Sequence, residues 1–167
     1  DIEGHIHGMS CVSFATSPRT AFIVPVSSFS PDGRRIALRA IARFLRSSTP
    51  KILQNALYDA MVLAYSYRMP IHNIVWDTML SGWEIDPELP KGLATQTSIY
   101  TSWPYYKHLR FEPSSREFWR YCCLDSAITY EIYERHKELL RGPAYEHFQF
   151  NLDLLSPLLY MQLRGMR

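Results

Sequence analysis

The alternation of apolar and polar residues divides the chain into short extended runs and longer helical ones. Residues 9–26, MSCVSFATSPRTAFIVPV, hold two β-rich runs on either side of Ser17-Pro18-Arg19, a turn signal. They predict a hairpin that follows a first strand starting at Asp1. Over 31–47, Ile36, Ala37, Ala40, Ile41, Phe44 and Leu45 share one helical face, while Arg34, Arg35, Arg39, Arg43 and Arg46 fall mostly on the other. KILQN at 51–55 suits a short buried strand, and helical spacing takes over at 58–68, ahead of Pro70. Residues 73–85 repeat this with a brief strand entering a helix, DPELPKG at 86–92 breaks the pattern, and a long helix covers 118–139. The order β-β-β-α-β-α-β-α, followed by that helix, predicts an α/β fold with a mixed sheet. No internal repeat is visible.

A chain of 167 residues with 47% apolar content fits one globular domain with a true core. The net charge of +2 is too small to argue for nucleic acid by itself, so any partner has to be read from local chemistry. Cys11, Cys122 and Cys123 are an odd set, two of them helix neighbours, and point to a reducing, intracellular compartment. No run approaches the ~18 apolar residues of a membrane span, and no charged-then-apolar leader is present, so no membrane association is expected. The opening acidic residue and the amphipathic closing segment LLSPLLYMQLRGMR suggest a fragment of something longer.

Carboxylates stand at the ends of several elements. Asp1 and Glu3, at i and i+2 of a strand, project from one face, which an exposed strand end would also explain. Asn55 and Asp59 flank the strand-to-helix transition, where an acid in the first helical turn also suits the helix dipole. Asp125 differs: it lies in mid-helix on a stripe with Phe118, Tyr121, Ile128 and Ile132, and i±3 and i±4 hold Tyr121, Cys122, Ile128 and Thr129, none of them cationic. An inward carboxylate must be paired, protonated or metal-bound. Oxygen-only ligands are what Mg²⁺ or Mn²⁺ prefers, and no Cys/His set competes. Four acids on separate elements would hold two such ions about 3.5–4 Å apart, an arrangement that cleaves phosphodiesters. SWPYYKHLRF at 102–111 interleaves Trp103, Tyr105 and Tyr106 with Lys107, His108 and Arg110. That mixture suits either a single-strand binding surface or an aromatic loop packed on the core.

In order, Asp-x-Glu at 1–3, Asn-x-x-x-Asp at 55–59 and Tyr-x-x-x-Asp at 121–125 resemble the three exonuclease motifs of the DEDD superfamily, tyrosine subtype. QNALYDAMVL and YCCLDSAITYEIYE are similar to the second and third motifs of the 3′–5′ proofreading domain of family A, polymerase I-like DNA polymerases. LPKGLATQTSIYTSWPYYK resembles the segment between them, especially in phage enzymes. The resemblance implies a ribonuclease H-like mixed β-sheet flanked by helices, with an exonuclease domain at 1–142 and a helical segment at 143–167 leading toward a polymerase domain. It implies Asp1, Glu3, Asp59 and Asp125 as ligands of two divalent ions, Mg²⁺ or Mn²⁺, and Tyr121 as the phenol that orients the attacking water. One ion, on Asp1, Glu3 and Asp125, would acidify water; the other, on Asp1, would stabilise the leaving 3′-oxygen, with Asp59 acting mainly through bound water. The partner implied is a single-stranded 3′ end of DNA, met by Gly4, His5, Asn55, Tyr105, Tyr106 and Lys107. Gly4 stands where the family commonly has Thr, so only backbone contacts carry over there, and the acid set suffices without His5 and His7 as ligands. Two alternatives are an exoribonuclease of the same superfamily and a catalytically silent structural or DNA-binding domain.

Overall fold

The computed structural model describes residues 8–111 and 114–165. The expected first strand, with Asp1, Glu3, Gly4, His5 and His7, lies outside them. The rest is the mixed α/β arrangement expected, predominantly helical. Strands β1 (Val12–Ser17) and β2 (Thr20–Val24) pair antiparallel in register Phe14↔Phe22 about the Ser17-Pro18-Arg19 turn. Strands β3 (Lys51–Leu53) and β4 (Ile74–Asp77) pair in parallel. Parallel neighbours need a crossover, and helix α2 (Ala56–Tyr67) provides it. Among the described residues the strands form two two-stranded sheets, one antiparallel and one parallel.

Helix α1 (Pro31–Leu45) starts at Ser30, whose hydroxyl accepts from the Gly33 N–H at 3.2 Å, with Pro31 in the first turn. Its apolar stripe buries Ile41 and Leu45 against Val26 and Met69. The long helix α5 (Ser115–Leu139) packs along the hairpin. Strand alternation explains why α1 and α5 take opposite faces of β1. The Phe14 ring stands edge-on to Phe44 of α1 at 5.1 Å, whereas the Ser13 hydroxyl faces α5, 2.9 Å from the Cys122 carbonyl and 2.6 Å from the Ser126 hydroxyl.

Helix α3 (Thr78–Ile85) follows β4 directly, and α4 (Leu93–Tyr100) then packs on α5. Beyond α5 come α6 (Gly142–Asp153), which packs on α3 and β4, and α7 (Leu155–Arg164), which packs on α2. Phe148 of α6 is fully buried against Trp76 at 4.5 Å between ring centroids. A polar chain joins β4, α3 and α5: Trp76 Nε1 donates to Ser81 Oγ at 2.9 Å, which lies 2.8 Å from Nδ1 of the fully buried His136. Burial lowers the His136 pKa to about 4, so the imidazole is neutral. No described helix is long and apolar enough to cross a membrane.

Candidate active site

Tyr121 and Asp125 lie one helical turn apart on α5, as the spacing requires. Asp125 is half-buried and draws its partners from another segment. A 3₁₀ turn at Lys107–Phe111 packs on α5, and the residues at its start bring two donors to one carboxylate oxygen. The Tyr106 hydroxyl and the Lys107 ammonium each lie 2.6 Å from Asp125 Oδ1. The ammonium also stands over two aromatic faces, 4.9 Å from the Tyr106 centroid and 5.1 Å from that of Tyr121. The countercharge that local spacing could not supply therefore comes from a lysine 18 residues away. Burial and then the Asp125 carboxylate raise the pKa of both Tyr121 and Tyr106. Both phenols stay protonated, and that of Tyr106 donates to the carboxylate.

The aromatic segment divides between the two readings open for it. Tyr106 is 5% exposed and packs with Leu109, Ile128 and Ile132, so its ring is core and only its hydroxyl reaches the site. Tyr105, next to it in sequence, is 74% exposed, its ring 6.1 Å from that of His108. Trp103 is tied down by its Nε1, which donates to Glu131 at 2.8 Å.

The second cluster forms where β3 and β4 end, at the carboxyl ends of parallel strands, where α/β folds bind their ligands. Asn55 takes the left-handed conformation at φ 60°, ψ 53°, which Asn tolerates, to turn β3 into α2. Asp77, 1% exposed, holds this corner together. Its carboxylate accepts from the backbone N–H groups of Asn55 at 3.0 Å, Ala56 at 2.7 Å and Met79 at 2.7 Å, so one side chain caps the starts of both α2 and α3. Burial raises the Asp77 pKa, opposed by those N–H bonds. Asp59, in the first turn of α2, is pushed up to about 6 by burial and then by the Asp77 carboxylate, although the residue as a whole stays exposed.

The structure joins Tyr121, Asp125, Tyr106 and Lys107 in one cluster and Asn55, Asp59 and Asp77 in another. Among the described residues no three acids, histidines or cysteines converge as a metal site. The donor chemistry nevertheless fits hard cations. Asp125 already holds one cationic group, and Asp59 is a second carboxylate, its pKa raised by burial and then by the Asp77 carboxylate. Sequence reasoning overlooked Asp77, although a strand running into Asp-Thr ahead of a helix is an N-cap signal. It also gave no sign that Tyr106 and Lys107 meet Asp125.

The family model for a 3′–5′ exonuclease matches residues 6–141. The chain belongs to the 3′–5′ exonuclease family of family A DNA polymerases. This exonuclease family acts on DNA 3′ ends and generally depends on divalent metal ions. The match takes in Asn55, Asp59, Tyr121 and Asp125 and starts after Asp1 and Glu3. No curated protein and no solved structure matches the chain.

Proposed function

We propose that this exonuclease domain removes mispaired 3′-terminal nucleotides from DNA as 5′-monophosphates, using two divalent ions, as the proofreading part of an intracellular family A DNA polymerase. The observation that carries the reading is the Tyr121–Asp125 pair on α5, whose carboxylate holds a cationic group beside a protonated phenol. Asp59 and Asp125, with Asp1 and Glu3, would hold the ions, which supply Lewis-acid activation of water and offset charge on the leaving oxygen. Tyr121 keeps its proton and orients the water by hydrogen bonding. Water oxygen attacks the terminal phosphorus, the bond from phosphorus to the 3′-oxygen breaks, and that oxygen takes up a proton. Tyr105 offers an exposed face for base stacking. The polymerase domain, in the same parent chain, would supply the mispaired end.

The test is gel analysis of a 5′-labelled DNA oligonucleotide with a mispaired 3′ end, in Mg²⁺ or Mn²⁺ and in EDTA, with a matched RNA alongside. Metal-dependent shortening of the DNA from its 3′ end is expected. Asp125→Ala abolishes it, and Tyr121→Phe slows it by about 10–10³-fold, the range for one positioned group. Equal cleavage by Asp125→Ala and the unsubstituted chain refutes the assignment. Faster cleavage of RNA moves the reading to an exoribonuclease.

A further inference from the structure

The net charge of +2 conceals a strong asymmetry. Residues 4–58 carry seven Lys and Arg against one acid, Asp32, a balance of +6, while the remaining residues carry eleven against fifteen, a balance of −4. Most of that positive charge is on α1. Arg35, Arg39, Arg43 and Arg46 stand at i, i+4, i+8 and i+11, which at 100° per residue keeps them within about 80° of one another, a single ridge about 16 Å long. All four are exposed. Arg35 meets Asp32 at 3.2 Å, but among the described residues Arg39, Arg43 and Arg46 have no carboxylate within 4.0 Å. Arg46 donates to the Arg68 backbone carbonyl at 3.1 Å at the C-terminal end of the ridge.

A solvated helix face usually mixes charges of both signs at i, i+4. This one repels itself along its length, an arrangement that favours binding of a polyanion. Its 16 Å match about five nucleotides of a strand rising 3.4 Å each, and guanidinium forks suit phosphate oxygens. The ridge is also remote from the catalytic helix. Phe14 faces α1 and Ser13 faces α5, so the hairpin separates the two.

We propose that the α1 ridge is a second nucleic-acid contact, binding the phosphodiester backbone of DNA away from the 3′ end that enters the active site. It rests on the exonuclease reading only for the choice of DNA as the polyanion. It contributes affinity and salt dependence, without sequence preference, since phosphate contacts position rather than specify.

The test is fluorescence anisotropy in EDTA across a series of NaCl concentrations. The probes are a labelled 20-nucleotide single strand and a 3′-tailed duplex, and the proteins are the unsubstituted chain and Arg39→Glu/Arg43→Glu. The variant should bind about tenfold or more weakly at low salt. Its plot of log affinity against log salt should be shallower by about 1.4–1.8, from two lost contacts at about 0.7 each for single strands or 0.9 for duplex. A charge-matched control, Arg135→Glu/Arg141→Glu, should change the slope less. Release of nucleotide from a trinucleotide, too short to reach the ridge, should be unaffected. An unchanged slope on both DNAs overturns the proposal even if the chain cleaves DNA. An equal change in the control, or ridge-dependent binding only to phosphatidylserine vesicles, overturns it as well. A chain that fails to cleave yet loses slope in the ridge variant upholds the ridge and sinks the exonuclease reading.

Discussion

Replacing Lys107 by Met keeps the aliphatic stem against Tyr106 and Tyr121 and removes only the ammonium from Asp125 Oδ1. Both side chains are mostly shielded, at 20% and 26% exposure, so solvent screens the pair only in part. A charged hydrogen bond of this kind contributes about 1.5–3 kcal/mol net. In a domain of this size each kcal/mol moves the melting temperature by about 2–4 °C. Lys107→Met should therefore melt about 3–12 °C lower in EDTA. Metal affinity should run opposite to that stability ranking. A cation on Asp125 has to compete with the ammonium in the unsubstituted chain and has no such competitor in the variant. At 1.4 kcal/mol per factor of ten, Lys107→Met should bind Mn²⁺ about 10–150-fold more tightly. Isothermal titration with Mn²⁺ gives the affinities, and melts in EDTA and in millimolar Mn²⁺ give the stabilities. Equal Mn²⁺ affinity in the two proteins would refute the idea that the lysine and the metal share this carboxylate.

Two further outcomes concern pH. Asp59 has a folded pKa of about 6, above its ordinary value of 3.8, so the folded state loses stability as pH rises through about 6; Asp59→Asn should raise the EDTA melting temperature at pH 8, with the gap closing toward pH 4. A destabilised Asp59→Asn at pH 8 would mark Asp59 as a helix-start residue instead. His136 runs the other way: its folded pKa of about 4 lies below the ordinary 6.5, the unfolded chain binds more protons between them, and about 3 kcal/mol is lost as pH falls from 6.5 toward 4. His136→Gln should show a smaller fall in melting temperature between pH 7 and pH 4.5 than the unsubstituted chain; an equal fall would mean that other groups carry the acid sensitivity.

The parts of the fold legible in the sequence were those with a clean period. The hairpin, α1, the β3–α2 and β4–α3 units and α5 all appear near where alternation or helical spacing put them. Helix α4 did not announce itself, because its eight residues bury Gln96 and Thr97 rather than an apolar stripe. The pairing of β3 with β4 was hidden too, since strands of three and four residues carry too little pattern to show what they pair with. At the site, i, i+4 spacing fixed Tyr121 beside Asp125. No local rule could place Lys107 on that carboxylate or tell the buried Tyr106 from the exposed Tyr105, because tertiary packing makes those choices. Asp77 escaped notice for a related reason: its importance comes from reaching Asn55 and Ala56, more than twenty residues back in the chain.

The family match ends at Arg141, but the core does not. Phe148 and Leu152, beyond that limit, share a cluster with Trp76 and Leu140, and Phe148 has no exposed surface. Cutting the chain at the family boundary would remove an aromatic plug that on its own is worth about 3–5 kcal/mol, and would open the Trp76 face of β4 to water. A stable piece of this chain should therefore run at least through α6. A recombinant nuclease trimmed to the homologous region would be prone to aggregation for reasons unrelated to its catalytic residues.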